Sequence, residues 1–136
     1  MITAVDTSVL LDVFAADPTF GPRSREALRS CIAQGGLVAC EVVWTEVTTF
    51  FPSLAAARHA MERLGSDFSA ITLETALEAS KAWKAYRKRG GQRARVAADF
   101  LIGAHALCQA DRLLTRDRGF YRSYFKRLTI VDPTAP

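Results

Sequence analysis

At 136 residues the chain has room for one domain, residues 1–136, and can bury about two thirds of its unfolded surface in a core. Hydrophobic residues make up 49% and charged residues 24%, without a Pro/Gly/Ser-rich tract, an internal repeat or an apolar run near the roughly 18 residues of a membrane span; this argues against a disordered chain, a solenoid and a bilayer-spanning helix. The net charge of +4 favours an anionic partner, and Asp6 and Asp12 inside the first apolar stretch speak against a leader, so a cytoplasmic protein is expected.

Ile2 to Val5 reads as a short buried strand that runs through Asp6 into a helix from about Ser8 to Ala16, stopped by Asp17-Pro18. A second helix, Pro22 to Gln34, follows from the helical spacing of Ala27, Leu28, Cys31 and Ile32, and Gly35-Gly36 ends it. LVAC (37–40) is a second strand. VVWTEVTTFF forms a third helix up to Pro52, and SLAAARHAMERLG a fourth, with Ser53 as cap and Gly65 as stop. FSAITL reads as the third strand. ETALEASKAWKAYRKRG is a long helix ending at Gly90-Gly91, and VAADFLIGAHALCQA is another, apolar nearly all round and therefore central. RLLT and RLTIVD supply a fourth and a fifth strand. Short apolar strands alternating with helices predict an α/β domain of three layers, a central, mostly parallel five-stranded sheet flanked by helices.

In such a sheet the carboxyl ends of the strands share one edge, where ligands bind. Asp6 follows the first strand directly, Asp117 lies two residues after RLLT, Glu46 about a turn into the helix after LVAC, and Asp99 in the first turn of the apolar helix. Singly, each has an ordinary explanation: a helix cap for Asp6 or Asp117, a dipole partner for Asp99, an exposed helix position for Glu46. As a set at one edge they repel each other and raise their own pKa values unless a cation neutralises them. An all-oxygen donor set with no nearby cysteine or histidine suits Mg²⁺ or Mn²⁺ better than zinc.

Basic residues complete that chemistry. Between Lys81 and Arg95 stand seven basic residues and no acidic one, and Arg112, Arg116, Arg118, Arg122, Lys126 and Arg127 form a second concentration. An acidic metal pocket beside such clusters implies a phosphodiester substrate, its backbone held by Lys/Arg while the metal activates water and stabilises the leaving oxygen. The candidates for RNA contact are Lys88, Arg89, Arg93 and Arg95, on the glycine-containing segment before Asp99, and Arg116 and Arg118, which flank Asp117.

VDTSVLLDVF, VVWTEV, ADFLIGAHAL and LLTRDRGFYRSYF, in that order across nearly the whole chain, resemble the four acidic motifs of PIN-domain ribonucleases, and most of all those of the VapC toxins of toxin-antitoxin pairs. The resemblance implies a single PIN domain, Mg²⁺- or Mn²⁺-dependent endoribonuclease activity, a homodimer, and inhibition by a small VapB-type antitoxin. It carries the family's acids onto Asp6, Glu46, Asp99 and Asp117, its hydroxyl after the first acid onto Thr7 or Ser8, and its small polar residue before the last acid onto Thr115. On that reading Asp6, Asp99 and Asp117 bind the principal ion. Glu46 helps hold a second ion or orients the attacking water, and Thr7 or Ser8 and Thr115 position the carboxylates by hydrogen bonds.

Two other classes stand beside this one. A binding-only RNA or regulatory module would use the acids merely as helix caps. An aspartyl phosphotransferase would want a second aspartate two residues after Asp6, where the chain has Ser8. The remaining polar residues receive ordinary roles: Asp12 on the helix surface, Asp111 in a turn, His59 and His105 outside the metal shell, and Cys31, Cys40 and Cys108 as reduced, buried thiols. Phe14, Trp44, Phe50 and Phe51 are assigned to core or interface.

Overall fold

The computed structural model describes residues 1–91 and 97–135. Along the chain the elements are β1 (Ile2–Val5), α1 (Thr7–Phe14), α2 (Gly21–Gln34), β2 (Gly36–Ala39), α3 (Glu41–Phe50), α4 (Leu54–Leu64), β3 (Ser66–Phe68), α5 (Leu73–Lys88), α6 (Ala97–Gln109), β4 (Arg112–Leu114), α7 (Arg118–Tyr124) and β5 (Ile130–Val131). Local chemistry sets many of their ends. Ser53 and Thr72 accept hydrogen bonds from the amides of Ala56 and Thr75 and so cap α4 and α5, while Gly65 closes α4 in the left-handed conformation that glycine tolerates best. At Gly35 a Cβ would collide with the Met1 carbonyl, and that close approach lets the Gly36 amide donate to Met1 O and start the pairing of β1 with β2.

All strand pairings are parallel, in the order β3-β2-β1-β4-β5. From β1 the chain builds outward through β2 and β3, then returns to add β4 and β5 on the other side. This reversal puts a crevice at the carboxyl ends of β1 and β4, the place where such sheets take ligands. The strands are short and the helices carry much of the core. Phe100, Ile102, Ala104 and Ala106 of α6 are buried, α5 packs along α6, and α6 contacts β1 and β4. Gly103 lets the Phe125 ring lie against α6 where a Cβ would come within 2.5 Å of it. Phe100 also sits among Trp83, Tyr86, Phe120 and Tyr124, at centroid distances of 6.1, 5.5, 5.2 and 6.0 Å.

The structure departs from the sequence expectation in three elements. The third strand occupies Ser66–Phe68 rather than FSAITL, because the chain then leaves the sheet edge: the Ile71 amide donates to the Glu41 carboxylate and the Thr72 amide to Gln109 Oε1, side chains that replace the ladder. A helix, α7, lies where none was expected. The last strand is two residues long rather than the six of RLTIVD. Cys31 and Cys40 are buried, but Cys108 is exposed.

Candidate metal centre

Asp6 leaves β1 as the N-cap of α1, its Oδ1 accepting from the Thr7 amide at 2.8 Å. Its Oδ2 accepts from Thr115 Oγ1 at 2.7 Å, and Thr115, which directly follows β4, is fully buried. The Asp117 amide in turn donates to Thr115 Oγ1 at 3.0 Å. One hydroxyl therefore joins the ends of β1 and β4 across the switch point and fixes the turn that carries Asp117. From the other side Thr7 Oγ1 donates to Glu46 Oε1 at 2.7 Å and ties α1 to α3.

Asp99 stands in the first turn of α6, and Asp117 occupies the N-cap position of α7 without making a capping bond. The carboxylates of Asp6, Glu46, Asp99 and Asp117 line one cleft of about 490 Å³ together with Thr7, Ser8 and Arg116. Four segments distant in sequence thus converge on the β1/β4 crevice. Burial pushes the Asp6 carboxyl from its ordinary 3.8 up to about 6; hydrogen bonds from Thr115 and Thr7 oppose the rise, and the charges of Asp99 and Asp117 add to it. Asp6 is 8% exposed, so water does little to relieve this. Tyr121, fully buried on α7, brings its hydroxyl to 3.5 Å from Asp6 Oδ2.

Among the described residues no group of three Asp, Glu, His or Cys side chains is gathered as a ready metal site. The donor chemistry nevertheless fits a hard divalent cation: the acidic wall offers only carboxylate and hydroxyl oxygens, and its most buried acid resists ionising beside two like charges. A cation would reverse that resistance.

The other candidates fall differently. Asp12 is 5% exposed, not on the helix surface: it accepts from Ser24 Oγ at 2.7 Å and pairs with Arg116 through both oxygens, at 2.8 and 3.1 Å. The Arg116 guanidinium is held there and also lies 4.0 Å from the centre of the Phe20 ring. Arg118 is about half exposed, 3.7 Å from Asp132. Lys88 ends α5, and the Arg89 guanidinium lies 5.2 Å from the Tyr124 ring centre; Arg93 and Arg95 lie outside the described residues. His59 is exposed, whereas His105 is buried with Nε2 2.9 Å from Ser69 Oγ, and neither lines the cleft.

Asp12, Ser24 and Tyr121 are what sequence reasoning missed. For Tyr121 a signal existed, since it stands one helical turn beyond Asp117, but it required recognising α7. Asp12 gave only the hint of an acid amid Leu10, Leu11 and Val13.

The PIN domain family matches this chain over residues 3–126. No curated protein sequence matches it. Similar solved structures include VapBC2 from Rickettsia felis bound to a DNA fragment from its promoter, at 13% identity and a TM-score of 0.76, covering 97% of this chain and 98% of that one. VapBC-1 from nontypeable Haemophilus influenzae is similar at 19% identity and a TM-score of 0.75, covering 99% and 100%. A toxin-antitoxin complex from Klebsiella pneumoniae reaches 18% identity and a TM-score of 0.71, covering 98% and 99%. At such identities the likeness is one of fold.

Proposed function

The chain belongs to the PIN-domain family, and from that premise we propose that it is a divalent-metal-dependent endoribonuclease, the VapC-type toxin of a toxin-antitoxin pair. The observation that carries this reading is the convergence of Asp6, Glu46, Asp99 and Asp117 on one cleft, with the buried Asp6 held at a pKa of about 6 by its surroundings. Bound Mg²⁺ or Mn²⁺ would supply Lewis-acid stabilisation of a phosphodiester and a water of lowered pKa. Asp6, Asp99 and Asp117 are the residues to hold the principal ion. Glu46 is hydrogen-bonded to Thr7 and can hold a second ion or orient water, and Thr115 keeps the Asp6 carboxylate aimed.

The RNA backbone is assigned to Lys88, Arg89 and Arg118, together with Arg93 and Arg95, which would contact phosphates without reading bases; Arg116, expected among them, is left out because its guanidinium is paired with Asp12. A VapB-type antitoxin as partner is supported by the VapBC complexes among the similar folds, and a homodimer by the sequence resemblance. One observation favours a second reading, an RNA-binding module whose acids only cap helices: Asp6 does cap α1 through the Thr7 amide.

A magnesium titration of RNA cleavage, with Asp6→Asn and Asp99→Asn beside the wild type, separates the two. Cleavage that needs Mg²⁺ or Mn²⁺ and disappears in both variants is the expected result. Wild-type cleavage rates in both variants, or no saturable metal binding by the wild type, would sink the nuclease assignment.

A further inference from the structure

Among the described residues that line the acidic cleft, Arg116 is the only cation. Its backbone is fixed between Thr115, whose hydroxyl bonds Asp6, and Asp117, whose amide bonds Thr115, so the side chain is the part with freedom to go elsewhere. It goes to Asp12. Nε and Nη2 each donate to one carboxylate oxygen, at 2.8 and 3.1 Å, Ser24 Oγ holds the same carboxylate at 2.7 Å, and the guanidinium packs on Phe20. The Arg116 side chain is 27% exposed and that of Asp12 5%.

A buried ion pair is a weak device for stabilising a fold, because desolvation offsets most of the attraction. This pair has a second consequence. A guanidinium in the wall of a cleft with four carboxylates is a competitor for any metal there, since it binds the same oxygens in a two-pronged geometry. We propose that Asp12, with Ser24, is a tether that holds the Arg116 guanidinium on the Asp12 carboxylate, so that it does not compete with a divalent cation for Asp6, Glu46, Asp99 and Asp117. Asp12 is thus a positioning residue: it acts on the site through Arg116. The inference rests on the proposed reading of the cleft as a metal site.

The test measures Mn²⁺ affinity calorimetrically in the wild type, in Asp12→Asn and in the double variant Asp12→Asn/Arg116→Met, and then the Mg²⁺ concentration for half-maximal RNA cleavage in the same proteins. Neutralising Asp12 alone releases the guanidinium, and Mn²⁺ affinity is expected to fall about tenfold, the equivalent of about 1.4 kcal/mol. Removing the guanidinium as well leaves no buried unpaired charge, and affinity should return to within about threefold of wild type, with half-maximal Mg²⁺ following the same order. A purely structural pair predicts instead that the urea midpoint of Asp12→Asn falls while the Mn²⁺ affinity of its folded form stays at the wild-type value. Asp12→Asn within about threefold of wild type, or a double variant no better than the single, overturns the tether. If Asp12→Asn does not fold, the double variant decides alone, and affinity more than about threefold below wild type overturns the proposal. Absence of saturable Mn²⁺ binding in the wild type identifies a different failure, that of the metal-site reading, and the tether falls with it.

Discussion

Asp6 and Asp12 lie on the same stretch of chain, both are buried, and their surroundings are opposite. Among the described residues Asp6 accepts from uncharged donors, the Thr7 amide and the Thr115 and Tyr121 hydroxyls, while the charges of Asp99 and Asp117 oppose its ionisation. Asp12 receives a guanidinium on both oxygens and the Ser24 hydroxyl besides. A buried charge without a counter-ion is strained, and a counter-ion offsets much of that desolvation cost. On the proposed reading, the difference separates a position prepared for an ion from a position that fastens other groups in place.

The largest expected effect breaks the first half of the comparison. Asp6→Asn should lower RNA cleavage by more than about a hundredfold, since loss of a partner that merely orients a metal ligand already costs about 10- to 100-fold. Thr115→Val, which removes such a partner, should fall inside that range. The same Asp6→Asn protein should be more stable than wild type at pH 7. A carboxyl raised from 3.8 to about 6 costs up to about 3 kcal/mol when ionised, and an amide gives back part of that by losing one acceptor oxygen. Urea midpoints with and without Mg²⁺ check both signs. A destabilised Asp6→Asn protein without metal would mean that the cleft is not strained.

Arg116→Met sharpens the second half. It leaves Asp12 buried with Ser24 as its remaining donor, and breaking a buried pair from one side costs about 3 kcal/mol at the lower end, which the partial exposure of Arg116 favours. Removing a charge should therefore stabilise at one aspartate, and removing its counter-ion should destabilise at the other. Equal urea midpoints for Arg116→Met and wild type would show that water already serves Asp12.

Asp6 and Asp99 were legible locally, from an apolar strand that ends in a carboxylate and an apolar helix that begins with one, while Glu46, within α3, and Asp117, past the end of β4, were legible from their place after the second and fourth strands. Among the described residues, four of the five parallel strands and six of the seven helices follow from the same periodicities. What escaped is non-local or short. The Asp12–Arg116 pair joins residues 104 positions apart, and nothing near either one points to the other. α7 spans seven residues, so its aromatic spacing at Phe120, Tyr121, Tyr124 and Phe125 covers barely two turns. β3 is an edge strand of Ser66, Asp67 and Phe68, polar in two of three positions, whereas the more apolar FSAITL beside it is held by the side chains of Glu41 and Gln109.

A smaller effect concerns the basic segment. Lys88→Ala and Arg89→Ala, alone and with Arg93→Ala and Arg95→Ala, should weaken RNA binding similarly across sequences and reduce the slope of log affinity against log salt by about 0.7 for each lost phosphate contact on single strands. Binding is measured by fluorescence anisotropy without divalent metal, so that the cleft does not contribute. An unchanged slope in the quadruple variant would assign these side chains to solvent.

The smallest effect sets Asp6 against His105 along the pH axis. Burial lowers the His105 pKa from its ordinary 6.5, with Glu41 and Ser69 opposing, and this histidine is 1% exposed. A histidine with a depressed folded pKa contributes stability that is fully present above about 6.5 and is lost as pH falls, because the unfolded chain takes up the proton first. Asp6 has the reverse sign. Its folded pKa is raised, so its contribution is fully present below about 3.8 and is lost as pH rises through about 6. Between pH 7 and 5 the two oppose each other. His105→Gln leaves Asp6 unopposed and its midpoint should rise on acidification; Asp6→Asn leaves His105 unopposed and its midpoint should fall. Saturating Mg²⁺ should flatten the His105→Gln profile in particular, because a cation beside Asp6 lowers its pKa below that window. Parallel profiles in the two variants would show that neither group titrates differently in the fold, and a His105→Gln profile that keeps its slope in Mg²⁺ would show that the ion binds away from Asp6.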